Sequence, residues 1–409
     1  MNVSLIGVVS VAKDNEFSRH QPPAAPISTN ASYKSETGAA VKRRIVLSGV
    51  NVTEMGLLTV FQDAIVSLVA EYADQYEIIA LVHRKSLFDV PGVTFMEYPD
   101  IKSSWLKRLR FEYYECRSIS KQIKPYLWFA MHDITPNVYA ETKAVYCHNP
   151  TPFYKFRMKD FLFDRTFGLS TLLYRFLYGI SIKSNHFVVV QQDWIRVQFM
   201  SWYGLSNIIV AHPSVGHLEI SSRQLLERSG RPYCFFYPAF PRPFKNFEQI
   251  LNAARLLERN GFKEFEIWIT TDGTESRYAI EMRREYADLK TVRWLGVLPR
   301  TDVMRLYTEA DCLIFPSKLE TWGMPITEFK STGKPILAAN LPYAQETVGE
   351  YGRAAFFNIK SDAELAEMMK QAVMGEPVFQ PTVERHIAQP FSRNWEELWK
   401  ILLASEFHA

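Results

Sequence analysis

Two successive series of short apolar runs, each separated by amphipathic stretches, constrain this chain more than any other feature of its sequence. The first series opens at Arg44-Ile-Val-Leu-Ser48, passes a helix-like stretch from Leu57 to Tyr72 and reaches Ile78-Ile-Ala-Leu-Val-His83. Runs of buried-strand type follow at Tyr126 to Met131, Ala144 to Cys147, Phe187 to Val190 and Ile208 to Ala211. The second series opens at Tyr233-Cys-Phe-Phe-Tyr237 and continues through Phe265 to Thr270, Cys312 to Phe315 and Ile336 to Ala339. Strands buried on both faces are apolar without alternation, and their interleaving with helices is the pattern of βα units on a parallel sheet. The two series meet near Pro213 to Arg231. They predict an α/β protein of two Rossmann-like lobes with a cleft between them, where ligands collect at strand ends.

Local signals place the helices of the second series. Phe247, Ile250, Leu251, Ala254 and Leu257 share one face of a helix from Phe247 to Arg259, with Asn246 as its cap and Gly261 beyond its end. Asp272-Gly273 turns the chain after the strand ending at Thr270. Thr301 is a capping candidate for a helix from Asp302 to Ala310. A further helix from Pro325 to Thr332 is stopped by Gly333 and Pro335. No internal repeat of solenoid period is visible.

A length of 409 residues suffices for two lobes that each bury a core. Residues from about Asp14 to Lys42 are rich in Pro, Ser, Ala and Asn without apolar periodicity and read as a mobile extension. The expected division is therefore an extension over 1–42, a first lobe over 43–212, a second over 213–385 and a C-terminal helix within 386–409. Cys116, Cys147, Cys234 and Cys312 lie far apart without finger spacing, which argues against a disulfide framework or zinc site and for a reducing, cytoplasmic compartment. The apolar start from Met1 to Ala12 has no cationic region before it, so no signal peptide is expected. Asp164, Arg165 and Arg175 interrupt Phe161 to Ile182, the best candidate for a membrane span. A net charge of +3 is too small a bias for a nucleic-acid-binding protein.

The segment Phe315-Pro-Ser-Lys-Leu-Glu-Thr-Trp-Gly-Met-Pro-Ile-Thr-Glu328 concentrates the chemistry. Gly323 lets backbone approach a ligand, Pro325 suits a first helical turn, and a helix start presents amide groups to a diphosphate. Glu320 in the loop and Glu328 one turn into the helix do not share a helical face, but both can reach the strand-end cleft. Their oxygens accept hydrogen bonds from ribose or sugar hydroxyls.

This segment, followed by Gly333-Lys-Pro335, resembles the E-x7-E signature of the group 1 retaining glycosyltransferases, which have the GT-B fold. Leu295-Gly-Val-Leu-Pro, Ala310-Asp-Cys-Leu-Ile-Phe-Pro and Leu341-Pro-Tyr-Ala-Gln-Glu-Thr-Val extend the resemblance, which runs from about Arg43 to the C-terminus. It implies two Rossmann-like lobes with parallel sheets facing a central cleft. It also implies a nucleotide-diphosphate sugar as donor, retention of anomeric configuration and no metal or other cofactor. By the same resemblance Glu320 is catalytic, while Glu328, Thr321, Trp322, Gly323 and Met324 bind the donor. Lys245, after the first strand of the second lobe, stands where the family sets a lysine against the diphosphate. The usual Gly-Arg before it is Ala239-Phe240 here, leaving Arg242 as the nearby substitute.

In the first lobe Ser48-Gly-Val-Asn-Val-Thr-Glu-Met-Gly56 occupies the strand-to-helix turn that the family places near the donor phosphates, with Gly56 either near the donor or relieving a tight turn. His132 and His148 end apolar runs. The resemblance aligns His148 with a catalytic histidine facing the sugar and His132 with the preceding strand end, on the acceptor side. For each, a structural hydrogen bond to a loop is the plainer alternative. Phe153 to Phe163 and Leu172 to Tyr178 mix aromatics with cations. Such stretches lie in an anionic headgroup layer or form an interlobe hairpin with a charged outer face. Trp395 and the run from Glu396 to Leu403 read as a closing amphipathic helix that packs back on the first lobe.

The expectation is hexosyl or deoxyhexosyl transfer to a hydroxyl of a glycan or polyprenyl-linked acceptor in bacterial surface-polysaccharide synthesis, in the cytoplasm or on the inner face of the membrane. A nucleotide-sugar epimerase, a phosphorylase or a catalytically silent carbohydrate-binding protein of the same fold are the alternatives.

Overall fold

The computed structural model describes residues 42–53, 55–154, 165–213 and 230–404. The expected extension before Lys42, and Lys155, Arg157 and Lys159 of the cationic aromatic run, lie outside them.

The first lobe runs β1 (Arg43–Gly49), α1 (Met55–Tyr72), β2 (Tyr76–Val82), β3 (Val93–Glu97), α2 (Trp105–Arg110), α3 (Cys116–Ile123), β4 (Leu127–Ala130), β5 (Thr142–Cys147), α4 (Arg165–Gly179), β6 (Phe187–Val190), α5 (Asp193–Tyr203) and β7 (Ile208–Ala211). The second runs β8 (Tyr233–Tyr237), α6 (Phe247–Arg259), β9 (Phe265–Ile269), α7 (Arg277–Glu285), β10 (Val292–Trp294), α8 (Arg300–Glu309), β11 (Cys312–Phe315), α9 (Met324–Lys330), β12 (Ile336–Ala339), α10 (Pro342–Val348), β13 (Tyr351–Phe357), α11 (Asp362–Met374) and β14 (Gln380–Thr382). The chain then returns to the first lobe with β15 (Phe391–Ser392) and α12 (Trp395–Leu403).

Eight strands of the first lobe lie in the order β15-β7-β6-β5-β4-β1-β2-β3 and seven of the second in the order β10-β9-β8-β11-β12-β13-β14. All pairings are parallel except that of β13 with β14. Alternating residues of β1 feed two separate cores, as a period of two requires. Ile45 and Leu47 face α1 and α12, whereas Val46 faces Phe111, Tyr174 and Phe199. Helices therefore cover both faces, which explains the uninterrupted apolar strands that the sequence shows.

Chain order reverses between β1 and β4 in the first sheet and between β8 and β11 in the second. Such switch points open a crevice beyond the carboxyl ends of the strands. The crevices meet: a Cβ built on Gly56, at the start of α1, would lie 3.9 Å from Met324 Cγ at the start of α9.

Several local expectations are corrected. Asn246 makes no side-chain cap for α6 and has φ 58°. Its Nδ2 donates instead to Gln249 Oε1 at 2.7 Å and to Pro316 O at 3.2 Å, bracing the loop after β11. Helix α8 begins at Arg300 behind Pro299, so Thr301 lies inside it. Helix α9 ends at Lys330 rather than Thr332.

Candidate active site

In the second lobe the switch-point loops carry Lys245 and Glu320. Lys245 closes a short 3-10 turn, Pro243–Lys245, after β8. Its Nζ lies 2.5 Å from Glu320 Oε1. Lys318 N of the loop after β11 donates to Phe244 O of the turn at 2.7 Å. Tyrosines brace both segments, Tyr343 Oη of α10 donating to Ser317 O at 2.6 Å and Tyr237 Oη of β8 donating to Lys245 O at 2.9 Å. Arg242 stands in the same turn, its guanidinium 5.6 Å from the Phe240 ring centroid.

Glu328 belongs to a different polar group. Tyr307 Oη donates to its Oε2 at 2.9 Å and Arg300 Nη2 lies 3.0 Å from its Oε1, both from α8. Burial pushes the Glu328 carboxyl above its usual range, opposed by the Arg300 charge and the Tyr307 hydroxyl. Gly323 precedes α9 with φ 93°, a left-handed backbone that side chains resist. Thr321 and Met324 are half-buried.

Trp322 is buried just before Gly323. Its ring packs 4.4 Å from His212 at the junction of the lobes, and its Nε1 donates to Thr327 Oγ1 at 2.8 Å. Around it the lobes are joined by Gln192 Nε2 donating to Tyr343 O at 3.0 Å and by Glu346 accepting from Asp193 N at 3.1 Å. His212 Nε2 lies 3.1 Å from Glu346 Oε1.

In the first lobe both histidines sit at strand ends by the switch point. His148 N donates to Asp133 Oδ1 at 2.8 Å, and its Nε2 is 3.6 Å from Asp133 Oδ2. Burial holds the imidazole below its usual pKa, partly offset by Asp133, so it is neutral near pH 7. Asp133 Oδ1 also accepts from Tyr178 Oη at 2.8 Å, which fixes the turn carrying the histidine. His132 is enclosed. Its Nε2 is 3.1 Å from Ser48 Oγ and 3.5 Å from Glu112 Oε1, and Arg108 Nη2 donates to its carbonyl at 2.7 Å. Glu112 stands on a π-helical turn, Phe111–Glu115, between α2 and α3.

Sequence reasoning missed Arg300, Tyr307, Arg108, Glu112 and Asp133. Leu298-Pro299-Arg300 carried a usable signal, since proline at a helix start fixes the residue that opens the first turn.

Two parallel-stranded lobes whose switch points meet across one cleft make the GT-B fold. The chain superposes on sucrose-phosphate synthase from Thermosynechococcus elongatus with TM-score 0.59 at 12% identity, covering 81% of this chain and 90% of that one. It superposes on HepE from Anabaena, solved with UDP-glucose, with TM-score 0.54 at 12% identity, again over 81% and 90%. Residues 219–386 match the family Glycosyl transferases group 1. Among curated proteins the chain is similar to O-antigen chain mannosyltransferase B of Escherichia coli, 28% identical over 155 residues, which are 38% of this chain and 40% of that protein. The chain thus spans less than half the length of that relative.

Proposed function

We propose that the protein is a retaining glycosyltransferase that moves a hexosyl or deoxyhexosyl group from a nucleotide-diphosphate donor to a hydroxyl of a glycan or lipid-linked glycan. The observation that carries this reading is a pair of carboxylates, one in the loop before α9 and one within it, each already beside a cation: Glu320 with Lys245 and Glu328 with Arg300. The donor's ribose hydroxyls donate to Glu328, whose two oxygens keep unused lone pairs. Lys245 and Arg242 take the charge that grows on the diphosphate as its bond to the anomeric carbon breaks. Glu320 and the neutral His148 contact the sugar from opposite lobes while the acceptor oxygen bonds to the anomeric carbon and gives up its proton to the departing diphosphate oxygen. Neither a metal nor another cofactor enters this reading.

A donor of this class is supported by the likeness to a protein solved with UDP-glucose, and surface-polysaccharide synthesis by the O-antigen mannosyltransferase. The acceptor side faces an anionic membrane from the cytoplasm. Among the described residues no helix is long and apolar enough to cross one.

The experiment is a thermal-shift screen of nucleotide sugars, then transfer assays with Glu328→Ala. A bound donor at about 100 times its Kd raises stability by about 2.7 kcal/mol, and Glu328→Ala is expected to abolish that gain. If no nucleotide sugar binds or is turned over and the variant changes nothing, the assignment fails. An altered sugar released without acceptor would show an epimerase, and binding without transfer across a broad acceptor panel a silent binding protein.

A further inference from the structure

Arg300 touches both lobes at once. Its Nη2 lies 3.0 Å from Glu328 Oε1 in the second lobe, while its Nη1 donates to Thr59 Oγ1 of α1 in the first at 3.1 Å. We propose that Arg300 is a positioning residue that ties the Glu328 end of the donor site to helix α1, so that donor binding and lobe closure occur as one step. The inference rests on the reading of Glu328 as a donor contact.

The geometry supports this in three ways. Gly56, Thr59 and Asp63 follow one another at helical spacing, so they form one stripe of α1, and the contacts at Gly56 and Thr59 direct that stripe to the second lobe. Asp63 Oδ2 is shielded from solvent and has no hydrogen-bond partner among the described residues, although its carboxyl feels the Arg300 charge. A closing movement therefore has a second carboxylate for the guanidinium to meet. Finally, a planar guanidinium presents a fork of donors that serves two acceptors in fixed directions, which an ammonium does not.

Arg300 need not leave for a donor to bind. A carboxylate offers about four lone-pair positions, and Tyr307 and Arg300 take one each, leaving two for a ribose diol. Held this way, Glu328 presents its free lone pairs in a direction that depends on where α1 stands. A donor that engages them draws on a contact spanning the cleft.

The test compares Arg300→Met, Arg300→Lys, Thr59→Val and the Arg300→Met/Thr59→Val double variant, reading donor Kd by calorimetry and kcat and KM by transfer. Arg300 is 45% exposed in its side chain, so its substitution leaves the core intact. Arg300→Met is expected to weaken donor binding about tenfold, the scale of a lost charged hydrogen bond. Thr59→Val should weaken donor binding and lower kcat, each about fivefold, the scale of a neutral hydrogen bond. In the double variant kcat should fall no further than in Arg300→Met, because the two residues act through one contact. Arg300→Lys, which keeps the charge beside Glu328 but not the fork to Thr59, should recover donor binding in part and leave kcat low. Multiplicative losses in the double variant, or wild-type donor binding by Arg300→Met, would overturn the proposal. Should Glu328→Ala weaken donor binding while Arg300→Met does not, only this inference falls; should the wild type bind no nucleotide sugar, the proposed function falls with it.

Discussion

Glu112 and His132 show how much the first lobe concedes at single residues. Both are enclosed, 3.5 Å apart, beneath the β1 and β4 strand ends. Burial pushes Glu112 up to about 8, with Arg108 pulling the other way. Burial, with Arg108, pushes His132 down to about 3. Stability owed to Glu112 is therefore complete below its unfolded value and lost as pH rises through about 8, while that owed to His132 is complete above its unfolded value and lost as pH falls toward about 3. Glu112→Gln keeps the shape and removes the alkaline loss. Its melting temperature should match the wild type's near pH 4 and exceed it near pH 9; an equal difference at both values would show that burial does not hold the Glu112 carboxyl up. His132 was singled out in the sequence at its strand end, but Glu112 was not, because a glutamate in a charged helical stretch looks solvated until the π-helical turn and its neighbours enclose it. Lys245, Glu320 and Glu328 were legible because local sequence alone sets them after strands. Arg300 was not, since its value lies in a partner from the other lobe.

Whole elements were read more faithfully than their ends. The strands β6, β7, β8, β11 and β12 begin and end where the apolar runs do, because burial on both faces leaves no polar position within them. Caps failed where tertiary contacts redirected a side chain, as at Asn246. The aromatic cationic run divides likewise. Its first residue, Phe153, stacks on Trp202 with centroids 4.9 Å apart, which takes it into the lobe. Helix α4 keeps Arg175 exposed beside Phe176, 71% exposed, above a groove that also takes Gly179, Ile180 and Tyr203. On α5, Val197 and Met200 are exposed too. An exposed phenylalanine beside a cation suits an anionic headgroup layer. The protein should float with vesicles containing phosphatidylglycerol and less with neutral ones, and Phe176→Asp should release it by several-fold. Equal recovery of wild type and variant at the bottom of the gradient would count against a lipid-facing α4.

At the scale of the molecule, the two lobes share a chain in an unequal way. Helix α12 supplies Trp395, Leu398, Trp399 and Leu402 to the core of the first lobe, with Trp399 edge-on to Phe129 at 5.8 Å. Trp399→Ala should cost about 3–5 kcal/mol, as large buried truncations do. Hydrogen exchange should show the loss in β1, β4 and β5 with β8, β11 and β12 unchanged; a loss spread evenly over both lobes would mean that they unfold as one unit. Taken as topology, with β15 added beside β7 and α12 closing the same core, the second lobe is an insertion within the first. During synthesis, then, the lobe that begins first is completed last. The inserted lobe has all its strands before β15 is made, while the earlier sheet waits with an apolar face uncovered. A ribosome that stops short of Trp395 releases a chain whose donor-side lobe is whole and whose other lobe lacks part of its core.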